Sequence, residues 1–349
     1  MSFQVTVLPS QHQFSASADQ SVLDAALAAG IVLPYSCRSG ACSTCKAKVV
    51  SGTVDAGTTP AQILSPEERE AGYTLLCQAH AQSDLVIESR EVRLASDIQI
   101  RKLPSRVTSM QRLAPDVEVL QLQLPAADTF RFYAGQYIEV MLKDGKRRSY
   151  SMANPPHSAA AIELHIRHLP GGLFTDHVFG AGTTQMKERE ILRLEGPFGS
   201  FFLREDSTLP VIMLASGTGF APIKSIVEHM AHQKINRPVT LYWGGRRPAD
   251  LYMNELAQSW AKTIPDFTYI PVISDARPED NWTGRTGFVH RAVMEDFPDM
   301  SHHQVYACGA PIVVNSAQKE FIATCKLSEE AFFADSFTSE ADTAAAKGE

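Results

Sequence analysis

Apolar and polar residues alternate over Phe3-Gln4-Val5-Thr6-Val7-Leu8, which predicts a half-buried strand, and a second extended piece is expected near Gln13. At Ser21 the period lengthens. Val22, Leu23, Ala26 and Leu27 share one face of a short helix that opens on the capping pattern Ser21-Val22-Leu23-Asp24 and stops at Gly30. Lys46 to Val50 reads as a strand ending in the Ser51-Gly52 turn, Pro66 to Ala71 as a short helix, and Leu85 to Ile87 as a closing strand. Short strands at regular spacing follow, at Val117 to Leu124, Tyr137 to Leu142, Ile162 to Ile166 and Ile191 to Leu194, divided by Pro, Gly, Asp and Asn turns. That spacing is the signature of an antiparallel barrel or sandwich. Farther on, strands and helices alternate: Val211 to Ala215 leads through a glycine-rich turn into a helix carrying Ile223, Ile226, Val227 and Met230, and Val239 to Trp243 begins the next repeat. Alternation of this kind implies a parallel sheet covered on both faces. The expected architecture is multidomain, α+β and α/β: a small β-rich domain over 1–93, a linker over 94–102, an antiparallel β-barrel over 103–207, a parallel-sheet domain over 208–338 and a frayed, alanine-rich tail over 339–349.

The chemistry begins with cysteine. Cys37, Cys42 and Cys45 stand in a Cys-x4-Cys-x2-Cys run, and Cys77 follows at a distance. This is the plant-type ferredoxin spacing for a [2Fe–2S] cluster held by four thiolates. A cluster and its thiolates are negative overall, so the loop must wrap closely and aim amides at sulfur. The small residues Ser36, Ser39, Gly40, Ala41, Ser43 and Thr44 meet that need. A structural zinc site usually pairs two short Cys-x2-4-Cys units, and only one is present here. Arg38, Lys46 and Lys48 flank the loop as a solvated rim or as a docking surface for an acidic acceptor.

Composition narrows the partners. The 349-residue chain is 44% hydrophobic and 20% charged with net charge −7, which gives no reason to expect nucleic acid. Its longest apolar stretches, Val22 to Tyr35 and Leu209 to Ile223, are too short or too interrupted to span a membrane, and no basic and apolar leader opens the sequence. Two of the six cysteines, Cys308 and Cys325, lie outside the cluster set with no disulfide framework spacing, so the expected location is cytoplasmic.

Further motifs stand in a fixed order. Ala134-Gly135-Gln136-Tyr137 precedes Arg148-Ser149-Tyr150-Ser151, and Leu169-Pro170-Gly171-Gly172-Leu173-Phe174-Thr175 follows; then come Gly217-Thr218-Gly219-Phe220-Ala221-Pro222, Gly244-Gly245-Arg246-Arg247, Cys308-Gly309-Ala310-Pro311 and Phe333-Ala334-Asp335-Ser336-Phe337. With the cysteine loop, this set resembles the ferredoxin-NADP reductase superfamily carrying an N-terminal plant-type [2Fe–2S] domain, over almost the whole chain. The resemblance implies a β-grasp ferredoxin domain, a flavin-binding barrel and a nicotinamide-binding domain. Arg148, Gly171, Gly172 and Thr175 would then serve a flavin pyrophosphate, favouring FAD over FMN, with Gly196-Pro197-Phe198-Gly199 as the turn that ends the barrel. Tyr150 and Ser151 would border the isoalloxazine ring, and Phe337 would lie against it. Gly217, Thr218, Gly219 and Pro222 would open the helix that receives the dinucleotide, Arg246 would meet its adenosine half, and Cys308 with Gly309 would stand beside the nicotinamide. Asp250 disfavours a 2′-phosphate near Arg246 and Arg247, so NADH is expected, with NADPH as the alternative.

The implied circuit runs from nicotinamide C4 to flavin N5 as a hydride and onward to the cluster as single electrons. Similar domain order occurs in reductase components of bacterial aromatic-ring oxygenases and of the CDP-6-deoxyhexose system. No Rieske Cys-x-His pair, two-His-one-carboxylate cluster or pyridoxal lysine context appears, so the expected partner is a terminal oxygenase or dehydratase protein. A free-standing flavin or quinone reductase is the other reading of the same motifs.

Overall fold

A computed structural model describes residues 1–89, 91–94, 98–126 and 130–339. The chain falls into two units, one formed by Met1–Ile98 with the segment from Ala334 onward, the other by Gln99–Phe333.

In the first unit β1 (Ser2–Leu8) pairs antiparallel with β2 (His12–Ser17), and its alternation buries Val5 and Val7. Helix α1 (Val22–Ala28) is capped as expected, the Ser21 hydroxyl accepting the Asp24 N–H at 3.1 Å, and Gly30 follows it at φ +75°. Then come β3 (Ile31–Val32), β4 (Lys46–Ser51), β5 (Val54–Asp55), α2 (Pro66–Glu70), β6 (Tyr73–Leu75), β7 (His80–Ala81), β8 (Leu85–Glu88) and β9 (Arg93–Leu94). The main sheet has the order β2-β1-β8-β4-β6, with β8 parallel to β1 and antiparallel to β4. β8 thus inserts between β1 and β4, the β-grasp arrangement.

The second unit opens with an antiparallel sheet. Strands β10 (Arg101–Ala114), β11 (Val117–Gln123), β12 (Tyr137–Met141), β13 (Arg147–Ser151), β14 (Ala161–Arg167) and β15 (Ile191–Phe198) take the order β13-β12-β15-β10-β11-β14, and α3 (Leu173–Phe179) precedes β15. The two edges meet through a Met152–Leu164 bridge and the Ala153 N–H donated to Glu163 O at 2.9 Å, which closes the barrel around Val107, Leu120, Ile138, Met152, Leu164 and Val178. Beyond it lie β16 (Val211–Ser216), α4 (Phe220–Gln233), β17 (Val239–Gly245), α5 (Asn254–Thr263), β18 (Phe267–Ile273), β19 (Arg285–Thr286), α6 (Val289–Asp296), β20 (Gln304–Gly309), α7 (Pro311–Thr324) and β21 (Phe332–Ser336). The sheet order is β19-β18-β17-β16-β20-β21, parallel from β19 to β20. Strand order reverses between β16 and β20, and such a switch leaves a crevice at the carboxyl ends of the strands.

Two local readings change. The linker expected over 94–102 begins on the last residue of β9 and ends on the first two of β10, while Ala95 to Asp97 lie outside the described residues. Gly196-Pro197-Phe198 belongs to β15: Gly196 pairs with Arg101 and Phe198 with Tyr137. Gly196 is small because a Cβ there would come 2.9 Å from Ile138 Cγ2, and the turn itself begins at Gly199, at φ +94°. Of the tail, only Ser339 is described. No helix among the described residues is long and apolar enough to cross a membrane.

Candidate functional site

The irregular run between β3 and β4 carries the cysteine loop, and Cys77 follows β6. Cys42, Cys45 and Cys77 are buried and Cys37 is half-buried, all as free thiols. Cys37 interacts with Cys42 and Cys45 with Cys77, and Cys42 Sγ also lies 3.6 Å from Thr44 Oγ1. The Cys42 bond holds Cys37 down at about 6, against burial and with help from Ser39 and Ala41. The Cys45 bond likewise lowers Cys77, which also receives Gln78 Nε2 at 3.7 Å. Donating those bonds, together with burial, pushes Cys42 and Cys45 well up. The Ser39 N–H approaches Cys37 Sγ at 3.5 Å. Gly40 turns the loop at φ +81°, where a Cβ would stand 3.0 Å from the Gln78 side chain.

Donors aimed at sulfur suit a negative thiolate set, and four thiols gathered at one closely wrapped loop fit a [2Fe–2S] cluster. On the rim, Arg38 pairs with Asp24 at 2.9 Å and Lys46 with Glu68 at 2.8 Å, so these cations are already engaged.

In the barrel, β12 and β13 pair Val140 with Arg148, Ile138 with Tyr150 and Tyr137 with Ser151. The Tyr150 ring packs on Phe174 of α3 at 5.4 Å, which brings this strand beside the Gly171-Gly172 turn. Burial pushes the Tyr150 hydroxyl well above the ordinary tyrosine range, so it stays neutral. Ser151 is buried. Thr175 is committed to the turn: its Oγ1 donates to Leu169 O at 2.8 Å, while the Gly171 N–H goes to Asp176 Oδ2 at 3.2 Å and the Gly172 N–H to Leu169 O at 2.8 Å. Arg148 is half-buried, its Nη1 donating to Arg147 O at 2.9 Å.

At the switch point, Gly217–Gly219 forms a single 3-10 turn into α4, with Thr218 and Pro222 buried. A Cβ on Gly219 would fall 2.2 Å from Cys308 O, and one on Gly309, at φ +125°, 2.3 Å from Ser216 O. The two loops that line the crevice therefore touch backbone to backbone, with Cys308 buried between them. At the end of β17 the Arg246 side chain is 77% exposed and its N–H donates to Asp250 Oδ2 at 2.7 Å. Phe337 follows β21 and is half-buried.

Comparison with known proteins assigns these three regions. Residues 5–82 match the 2Fe-2S iron-sulfur cluster binding domain, 104–203 the oxidoreductase FAD-binding domain and 213–319 the oxidoreductase NAD-binding domain. The chain is 40% identical over 337 residues to CDP-6-deoxy-L-threo-D-glycero-4-hexulose-3-dehydrase reductase of Yersinia pestis, covering 97% of this chain and 99% of that one. This chain belongs to the iron–sulfur flavoprotein reductases. Reductase component 1 of terephthalate 1,2-dioxygenase from Comamonas sp. is 41% identical over 320 residues, 91% of this chain and 92% of that one. Among solved structures, Amycolatopsis cytochrome P450 reductase GcoB superposes with a TM-score of 0.76 at 33% identity, over 97% of this chain and 99% of that one. The matched domains support a [2Fe–2S] cluster, FAD and NADH as the redox groups of this oxidoreductase.

Two features of the reductase escaped the sequence reading. Arg167, the last residue of β14, reaches Gly217: a Cβ on that glycine would lie 2.6 Å from Arg167 Nη1. Its Nε faces Asp116 at 3.1 Å and its Nη2 faces Asp250 at 3.8 Å, and neither nitrogen makes a hydrogen bond among the described residues. A guanidinium held against a glycine-rich strand-to-helix turn is suited to a pyrophosphate. The second feature is a buried polar chain. His165 contacts Tyr252 Oη at 2.7 Å and Glu163 Oε1 at 2.8 Å; Lys224 Nζ lies 3.3 Å from the same carboxylate, and the Tyr252 ring stands edge-on to Trp243 at 5.3 Å. His165 looked like one more strand residue because, beside Glu163 on its own strand, its other partner Tyr252 comes from the loop after β17.

Proposed function

We propose that this chain is the NADH-oxidising component of a multiprotein oxygenase, delivering electrons through FAD and a [2Fe–2S] cluster to a separate aromatic-ring oxygenase of the Rieske type. The observation that carries the reading is the presence of cluster, flavin and nicotinamide domains in series in one chain, shared over nearly its full length with proteins named as reductase components. When bound, FAD supplies the conversion of a two-electron donor into single electrons and the cluster carries them one at a time. Cys37, Cys42, Cys45 and Cys77 hold the cluster in this account. Arg148 neutralises the flavin phosphates, Tyr150 and Ser151 border its ring with neutral donors, and Gly171, Gly172 and Thr175 form the turn beside them. Gly217, Thr218, Gly219, Pro222 and Arg167 receive the dinucleotide pyrophosphate, Arg246 its adenosine end, and Cys308 with Gly309 the nicotinamide.

A deoxysugar dehydratase is the second acceptor worth testing, because the Yersinia pestis relative, named for such a dehydrase, matches over 337 residues. The test supplies the purified holoprotein and NADH to a Rieske aromatic-ring dioxygenase and, separately, to a CDP-hexulose dehydrase. Oxygenated product that depends on this chain supports the first reading. Product with the dehydrase alone replaces it with the second, and NADH oxidation that reduces only free flavin or quinone overturns both.

A further inference from the structure

At the end of β17 two consecutive arginines look equipped to hold a phosphate, but only one is available. Arg246 extends into solvent, whereas Arg247 is clamped: its Nε donates to Asp280 Oδ2 at 2.8 Å and its Nη2 to Asp280 Oδ1 at 2.6 Å. This is a bidentate pair in which one carboxylate occupies the planar edge that would otherwise grip phosphate oxygens. Asp280 is itself fixed, because its Oδ2 also accepts the Arg277 N–H at 2.9 Å. Glu279 stands 3.5 Å from Arg247 Nη2. Asp250 accepts the N–H of both Arg246 and Arg247, at 2.7 and 3.1 Å. Asp275 donates its N–H to Arg246 O at 2.9 Å, which brings a fourth carboxylate residue to the same corner.

We propose that Asp280 is a specificity-determining residue, which favours NADH over NADPH by occupying Arg247 and by setting carboxylates against a 2′-phosphate. The inference rests on the reading that the adenosine half of the dinucleotide lies at the end of β17. A 2′-hydroxyl is neutral and meets these carboxylates as a hydrogen-bond donor; a 2′-phosphate brings negative charge and needs Arg247 released. Discrimination of this kind comes from the repulsive element as much as from the attractive one. The pair is half-buried at the surface and ties the β17 end only to the short turn at Asp280, so the variants are checked for an unchanged Tm before binding is compared.

The test compares wild type, Asp280→Asn, Asp280→Ser and the double variant Asp280→Asn/Arg247→Ala as purified holoproteins. Affinity for adenosine 2′,5′-bisphosphate and for 5′-AMP is measured by calorimetry, alongside kcat/KM for NADPH and NADH with ferricyanide. Both single variants should bind the bisphosphate about tenfold more tightly and gain about tenfold in kcat/KM for NADPH, with NADH changed less than about threefold. The double variant should lose the gain. Unchanged bisphosphate affinity in the single variants, in a protein that still discriminates NADH from NADPH, overturns the role of Asp280. Failure of wild type and all variants to bind either adenosine nucleotide, while NADH is still oxidised, instead overturns the placement of the adenosine site.

Discussion

Ser36, the residue before the first cysteine of the cluster loop, donates its hydroxyl hydrogen to the Asp335 carboxylate at 2.7 Å across 299 positions of sequence. Both side chains are buried. A strand near the C-terminus thus fixes the point at which the cysteine loop begins. Replacing Asp335 by Ala removes a buried hydrogen bond to a charged acceptor and should cost about 1–3 kcal/mol. The cluster should be lost faster to a chelator, while Asp335→Asn, which keeps an acceptor oxygen, should lie between wild type and Ala. Equal cluster lifetimes in all three proteins would show that the bond does not hold the loop.

In the proposed account Cys42 is one of the four thiolates that hold the cluster, so its loss should remove the cluster. Cys42→Ala should abolish reduction of one-electron protein acceptors such as cytochrome c while sparing ferricyanide reduction, which the flavin can carry out directly. Parallel loss of both activities would mean that the cysteine loop is not the exit for electrons.

Arg167 supplies a cation to the Gly217 turn that no other described side chain presses against so closely. Arg167→Ala should raise KM for NADH about tenfold, as expected for a lost charge-assisted contact, with kcat changed far less. A fall in kcat with KM unchanged would move Arg167 from binding to some other role.

Burial is the main cause that lowers His165, opposed in part by the Glu163 hydrogen bond, with Lys224 adding to the decrease. Its folded pKa therefore lies below the unfolded value of about 6.5. As pH falls through that value the unfolded chain takes up the proton first, so stability present at neutral pH is lost on the acid side. Glu163 acts elsewhere: burial raises it, but the His165 bond and the Lys224 charge outweigh burial and hold it at about 2. Its contribution is lost only as pH drops from about 4.3 toward that value. The advantage in Tm of wild type over His165→Gln should consequently shrink between about pH 7.5 and about pH 5.5. A gap that stays constant or widens would contradict the neutral, buried state of His165.

Local rules carried the sequence reading wherever a residue's partner lay within a few positions. The Ser21 cap, the Gly30 stop and the strand, helix and strand at Lys46 to Val50, Pro66 to Ala71 and Leu85 to Ile87 were legible in this way. Strand β10 was not, because Pro104 and the flanking Arg101 and Lys102 disguise the alternation of buried Leu103, Ser105 and Val107. Glycines gave position but not purpose: Gly219 and Gly309 are needed where two loops touch, and Gly196 where a strand crosses Ile138. Thr175, expected to serve the flavin pyrophosphate, also ties its own turn through Leu169, a bond that only the folded loop reveals. Arg167 acquires meaning only from residues of other elements, and His165 needs Tyr252 from the loop after β17 in addition to its strand neighbour Glu163.

The central claim is a circuit in which NADH reduces flavin and cluster within one chain. It is tested most directly by the visible absorption spectrum of the purified protein before and after anaerobic NADH. The account predicts overlapping flavin and iron–sulfur bands that both bleach. A flavin band that bleaches alone, with zinc and no iron by metal analysis, would contradict it.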